Sequence, residues 1–312
     1  MTVPVVINTE VVPCPVCGGV SIESELTIST QDFSFETCAN KFEYVRCECQ
    51  VTYLRNRPLP SELASIYPDD YSGYKRRQGI VAAVRRRNFF SKYTAALKET
   101  SPTSQVQSVL DFGCGNGEFL SAVLSKNAGE GKPELTGYDF SLSSVPANLL
   151  QKVNFVDDFD AVIARGPFDL VFFNQVIEHL PDPIMTLSKL RDSMSSGSII
   201  LIETPSLTGF DFRLSPRERW GGWHAPRHFV VFDESSLRAA VERSGFRVLQ
   251  FSHIPSPFLW ADTLRTRSKS RFFNWFFRID NFGFLLLFAP IEMALIRCGY
   301  KSSNMQIVAK VV

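Results

Sequence analysis

The sequence has almost no net charge: 33 lysines and arginines stand against 32 aspartates and glutamates in 312 residues. That balance argues against a nucleic-acid partner held by the molecule as a whole, although a local basic patch could still serve one. Long hydrophobic runs are missing too. The most apolar stretch, 282–296, is shorter than the ~20 residues a spanning helix needs, and Pro290 and Glu292 interrupt it. The first residues lack the basic start and apolar run of a secretion signal, so a cytoplasmic, reducing setting is expected. Seven cysteines is an odd count, and four of them sit in two tight pairs, which speaks against a disulfide framework. Repeats and low-complexity tracts are absent. What remains is an ordinary globular composition, 45% hydrophobic and 21% charged, with a length that fits about two domains.

Three textures follow one another. Residues 1–57 hold five of the seven cysteines and short β-type runs. Residues 58–104 form a linker, turn-rich at first, then basic and helical in pattern. From Gln105 to Val312, runs rich in Val, Ile, Leu and Phe (SVLDF, ELTGYDF, VNFVD, FDLVFFN, SIILIET) alternate with helical stretches at 116–126, 183–194 and 234–244. Asp233 is the expected cap of the last helix and Gly245 its stop. Continuous apolar runs suit parallel strands buried on both faces. The alternation predicts an open α/β sheet with helices on both faces.

The segment VLDFGCGNGEF, 109–119, leads a strand through three alternating glycines into a helix. Glycines there let a ligand approach the backbone closely. A dinucleotide fingerprint wants a third glycine where Glu118 stands. Asp111 and Glu118 would also repel a pyrophosphate, so a ligand with a positive end fits better.

Asp111, Gly113, Cys114, Gly115 and Gly117 resemble the first motif of class I methyltransferases that use S-adenosylmethionine (SAM), and later elements match in order over about 106–255. The resemblance implies a Rossmann-like sheet and SAM as cofactor. It implies that Asp139, with Phe140 beside it, binds the ribose hydroxyls. It further implies that Asp157 or Asp158 (Asp158 preferred) contacts the adenine amino group, and that Asn174 lies at the cofactor. The run W-G-G-W-H-A-P-R-H-F, 220–229, resembles a bacterial subgroup associated with glycan and small-molecule pathways. Methyl transfer from a sulfonium needs mainly in-line positioning; a base matters only for a protonated acceptor. His179, His224 and His228 are the candidate bases, with His179 first, against a purely structural use of each. Arg227 could form a wall with Trp220 and Trp223, or clamp an anionic substrate. Cys114 reads as packing.

Cys14 and Cys17 resemble a zinc knuckle, and Cys47 with Cys49 supplies a second pair, one residue closer than usual. Together they can close a structural, tetrahedral Zn2+ site, with Cys38 as a substitute for Cys47. The expected acceptor is a small molecule, a sugar or glycan, or a lipid-linked intermediate. A zinc head beside such a domain also resembles certain ribosomal-RNA guanine methyltransferases. Lys75–Arg77, Arg85–Arg87 and nearby aromatics would be the docking surface. A non-catalytic SAM- and zinc-binding scaffold at a membrane is the third reading. Within 265–297, Arg271, Asn274, Arg278 and Asn281 fall on one face of an otherwise apolar helix. That apolar helical insertion, at about 260–300, suits a lipid surface, a homodimer interface or a lid.

Overall fold

The computed structural model describes residues 5–20, 27–67, 71, 73–101, 105–127, 132–267 and 282–312. Five short strands open the chain: β1 (Thr9–Val11), β2 (Thr27–Thr30), β3 (Phe42–Arg46), β4 (Thr52–Leu54) and β5 (Asn56–Pro58). β1 pairs with β5, and β2, β3 and β4 form an antiparallel meander. The larger sheet contains β6 (Ser108–Phe112), β7 (Glu134–Tyr138), β8 (Asn154–Val156), β9 (Phe168–Asn174) and β10 (Met194–Pro205). Between β10 and its last two strands runs the short β11 (Val230–Val231); β12 (Phe246–His253) and β13 (Asn304–Val311) complete it. Its order is β12-β13-β10-β9-β6-β7-β8, with β13 antiparallel to both neighbours and the five strands from β6 to β10 parallel. This is the open α/β sheet that the strand–helix alternation predicts, in the Rossmann-like form that the family resemblance implies.

The apolar runs are explained by burial on both faces. In β9, Leu170, Val171, Phe172 and Phe173 are all fully buried. Strand periodicity sends Val171 and Phe173 into one core, and Leu170 and Phe172 into another. The second core is closed by Tyr93 and Ala96 of helix Gly79–Glu99 and by Phe119, Leu120 and Val123 of helix Glu118–Lys126. Helix Glu234–Arg243 starts as expected in a capping box, with Asp233 accepting from the Ser236 amide, and Gly245 ends it at φ +86°. Two boundaries shift. The 116–126 stretch becomes helical only at Glu118, because Gly117 sits at φ +74° in the turn. The 183–194 stretch stops at Asp192, because Met194 pairs with Phe168 as the start of β10.

The cysteine-rich head and the sheet domain share structure. β11 pairs with β4, so the head's sheet has the order β11-β4-β3-β2. Tyr44 of β3 stacks on Trp223 at 4.4 Å, and its hydroxyl lies 2.9 and 2.7 Å from the carbonyls of Trp223 and His228. Arg227 is wholly buried and donates to both carboxylate oxygens of Asp32, at 3.0 and 3.2 Å. It is therefore a strut between the two regions, not a clamp for an anionic substrate. Removing one partner of such a pair costs about 3–5 kcal/mol, because the other charge is left stranded.

Beyond β12, helices Pro257–Arg267 and Phe282–Arg297 pack together, with Trp260 against Phe288. Glu292 does not merely interrupt the apolar helix. It is buried and accepts from the Ser256 amide (2.8 Å) and the Ser302 hydroxyl (2.6 Å). Leu287, Ile291 and Met293 remain exposed. The polar face expected from Arg271, Asn274, Arg278 and Asn281 lies outside the described residues. Among the described residues, no helix is long and apolar enough to cross a membrane.

Candidate active site

The strand order reverses between β6 and β9, and the crevice at the carboxyl ends of such strands is where α/β sheets bind ligands. The glycine loop leaves β6 there. Gly113 and Gly117 need to be glycines for two reasons: both have φ near +75°, and a Cβ would come within 2.4 Å of Val176 or 2.5 Å of Leu149. The loop amides are already used. Those of Gly113 and Cys114 donate to the Tyr138 carbonyl (2.7 and 2.8 Å), that of Gly117 to Cys114 (2.9 Å), and that of Gly115 to the Asp139 carboxylate (2.8 Å). A phosphate would find no cradle among these four N–H groups.

Asp139, at the end of β7, also accepts from the Ser141 amide and is buried. Burial raises its pKa, and the amides of Gly115, Ser141 and Phe140 work against that rise. Phe140 beside it is 63% exposed, with its ring near those of Tyr67 and Tyr74, at 5.6 and 6.2 Å. Asp157 and Asp158 stand exposed after β8, where Asp158 caps helix Phe159–Ile163 through the Ala161 amide at 2.7 Å. Cys114 is buried, and burial together with Asp111 and Asp139 pushes its thiol far up. It packs into the core beside Phe119 and Leu120.

A chain of polar side chains runs beneath the loop. Asn174 donates to Asp111 (3.1 Å) and accepts from Lys92 (3.0 Å), and Lys92 pairs with Glu203. Glu203 accepts from Gln175 (3.1 Å) and Asn304 (2.9 Å). Burial pushes Asp111 up to about 7 against the pull of Asn174 and Lys92. Lys92 and Glu203 were not expected at this site. The available signal was an acid inside the apolar run of β10 (IILIET), which a buried strand tolerates only with a partner.

All three candidate histidines come together. Ring centroids lie 4.7 Å apart for His179 and His228, 5.0 Å for His224 and His228, and 6.4 Å for His179 and His224. Nδ1 of His179 donates to the Arg227 carbonyl (2.9 Å), and Nδ1 of His228 to the Gly222 carbonyl (2.8 Å). These bonds assign the tautomers. His228 Nε2 then faces Nδ1 of His224 at 3.4 Å. Tyr71 stacks on His224 at 5.8 Å, and the Tyr67 hydroxyl lies 3.2 Å from His179 Nδ1. Burial lowers all three: His179 falls to about 4, and His224 and His228 drop well below their ordinary value. The rings are neutral at pH 7, with lone pairs on offer. Beside them, Glu178 is buried and pushed up to about 8. Its Oε2 accepts from Thr204 (2.8 Å), while its Oε1 has no partner among the described residues.

In the head, the sulfurs of Cys14 and Cys49 are 3.6 Å apart and those of Cys17 and Cys47 3.4 Å; all four lie within 4.8 Å of one another. Four thiolates about 2.3 Å from one tetrahedral ion would stand about 3.8 Å apart. The donor set therefore fits a closed metal site. The Gly19 amide supports it from outside by donating to Cys17. Cys38 lies outside this group and does not replace Cys47.

A trans-aconitate 2-methyltransferase of Rhizobium leguminosarum is 25% identical over 138 residues, which is 44% of this chain and 52% of that one. A tRNA U34 carboxymethyltransferase of Campylobacter concisus is 27% identical over 150 residues, 45% and 49% of the two chains. The chain thus spans about half the length of these curated relatives. A SAM-dependent methyltransferase from Archaeoglobus fulgidus has a similar solved structure, with 20% identity, a TM-score of 0.43, and coverage of 73% of this chain and 94% of that one. A methyltransferase-domain family model matches residues 83–251, more than half of the 312. The chain belongs to the methyltransferase-domain family.

Proposed function

We propose that the protein transfers a methyl group from SAM to a small-molecule, sugar or lipid-linked biosynthetic intermediate. The observation that carries this reading is the glycine loop. Four of its five amides, those of Gly113, Cys114, Gly115 and Gly117, are used internally while Asp111 and Asp139 border it, which suits a cationic sulfonium ligand better than a pyrophosphate. Asp139, held by two amides, keeps acceptor capacity for a ribose diol. Phe140 offers an exposed ring for the base, and Asp157 and Asp158 offer carboxylates for an exocyclic amine. Asp111, Asn174 and Lys92 bring both signs of charge to the end where an amino acid would sit. SAM, when bound, supplies an electrophilic methyl carbon.

The chain's own work is to hold the acceptor in line and take up its proton where it has one. The histidine cluster is the place for that, with unprotonated nitrogen on His179, His224 and His228. The four thiols of the head would hold a structural Zn2+, stabilising a region with little core of its own. An RNA acceptor is less well supported: Arg85 spends its charge on Glu118 at 3.1 Å, and the whole chain is near neutral.

The deciding experiment is transfer of label from methyl-labelled SAM into a fractionated cell extract, with and without nuclease. Label in a nuclease-resistant sugar, lipid or small-molecule pool is expected. Nuclease-sensitive label would overturn the acceptor class, and no label in any fraction would overturn the activity.

A further inference from the structure

The geometry points to a second metal site, distinct from the thiol cluster: a divalent transition-metal ion held by Glu178, His179 and His228 within the histidine cluster. One ligand atom from each of the three lies within 4.8 Å of the others. Three features separate this group from a chance meeting of polar residues.

The first is the carboxylate. Glu178 is 1% exposed, and its Oε1 has no hydrogen-bond partner among the described residues. A buried, unmatched carboxylate oxygen is costly, and few native proteins keep one without a use. The second is how the rings are held. Both imidazoles donate Nδ1–H to a backbone carbonyl, Arg227 for His179 and Gly222 for His228. That is the outer-shell bond that metal-binding histidines make, and it turns each Nε2 into an acceptor; Nε2 of His228 meets Nδ1 of His224 at 3.4 Å, a long contact that an ion would displace. The third is the surroundings. The carbonyl of Glu178 accepts from Phe229 at 2.7 Å, and Thr204 fixes its other carboxylate oxygen, so the ligands hang on a rigid frame.

Two nitrogens and one carboxylate suit Zn2+, Fe2+, Co2+ or Ni2+ better than Mg2+ or Ca2+. Three protein ligands leave coordination positions open, so an oxygen of the acceptor can complete the shell. This last clause rests on the methyl-transfer reading; the existence of the site does not. Tyr67 links the two sides, since its ring lies 5.6 Å from that of Phe140 and its hydroxyl touches His179. With His179 and His228 engaged as ligands, His224 is left to take the acceptor's proton.

The test uses the full chain stripped by chelator and titrated with Co2+ alone. Wild type should take up two equivalents. One should show intense sulfur charge-transfer absorption, and the other only weak d–d bands. Glu178→Gln and His179→Gln should each weaken the weak-band site by about 100-fold or more, while the thiolate band remains as proof of folding. A wild-type protein with only the thiolate equivalent overturns the proposal, as does a weak-band site untouched by both substitutions. Loss of the thiolate band alone would refute the zinc head and leave the second site counted by its own absorption. Should a substituted chain fail to fold, the wild-type stoichiometry still decides.

Discussion

The glycine loop and the histidine cluster sit side by side, yet they are finished to different degrees. In the loop, the amides of Gly113, Cys114, Gly115 and Gly117 each have a partner within the chain, and Asp139 is tied by the amides of Gly115 and Ser141. In the cluster, a buried carboxylate oxygen has none among the described residues, and the neutral rings of His224 and His228 meet through one long contact of 3.4 Å. The loop is a preformed mould. The cluster is poised to receive something. Binding on one side should depend on shape and hydrogen bonds already in place, and on the other on what is added.

The largest effect should come from striking the mould. Asp139→Ala removes a charge-assisted anchor from both the loop and the ribose, and should weaken SAM binding about 100-fold or more in calorimetry without unfolding the chain. Unchanged affinity would end the cofactor assignment. Next is the strut behind the cluster. Arg227→Met strands Asp32 and should cost about 3–5 kcal/mol in denaturant unfolding, and adding Asp32→Leu should return most of it. If the double variant is no more stable than the single one, the pair is not the link between head and sheet. Replacing Cys14 and Cys17 by Ser should release the head's metal and lower the melting temperature, with metal content read directly by mass spectrometry.

A smaller effect sharpens the contrast through pH. Asp111 has its pKa raised to about 7 by burial, above an unfolded value of 3.8. The folded state therefore holds a proton that the unfolded state has lost, and stability falls as pH rises from about 4 to 7. Asp111→Asn should remove that slope and make the ligand-free protein more stable at pH 8, by a few kcal/mol at most. SAM binding should weaken in the same variant. A slope that persists would place the titration elsewhere.

Much of this was legible in the sequence because it is local. The buried run Leu170–Phe173, the glycine loop, Asp139 at a strand end and the Asp233 capping box each declare themselves within a few residues. The thiol group was legible because two close pairs have few ways to meet, although spacing alone left Cys38 open. What escaped was everything that depends on distant pairing. Arg227 looked like a substrate clamp because Asp32 lies 195 positions away. Lys92 carried no signal of its own, since only the folded chain brings it onto Asn174 and Glu203. Glu178 is next to His179 in sequence, but that its second oxygen lacks a partner is a property of packing.

The pairing of β11 with β4 also sets a timetable. Val230 finds its partner in Tyr53, which leaves the ribosome 177 residues earlier. Through most of synthesis the head can gather its thiols but must wait with β4 as a bare edge, open to association with other chains. The contact that closes it is among the most distant in the chain, and distant contacts form slowly. Chains truncated before residue 230 should therefore clump through their heads, so the last third of the protein acts as a folding partner for the first.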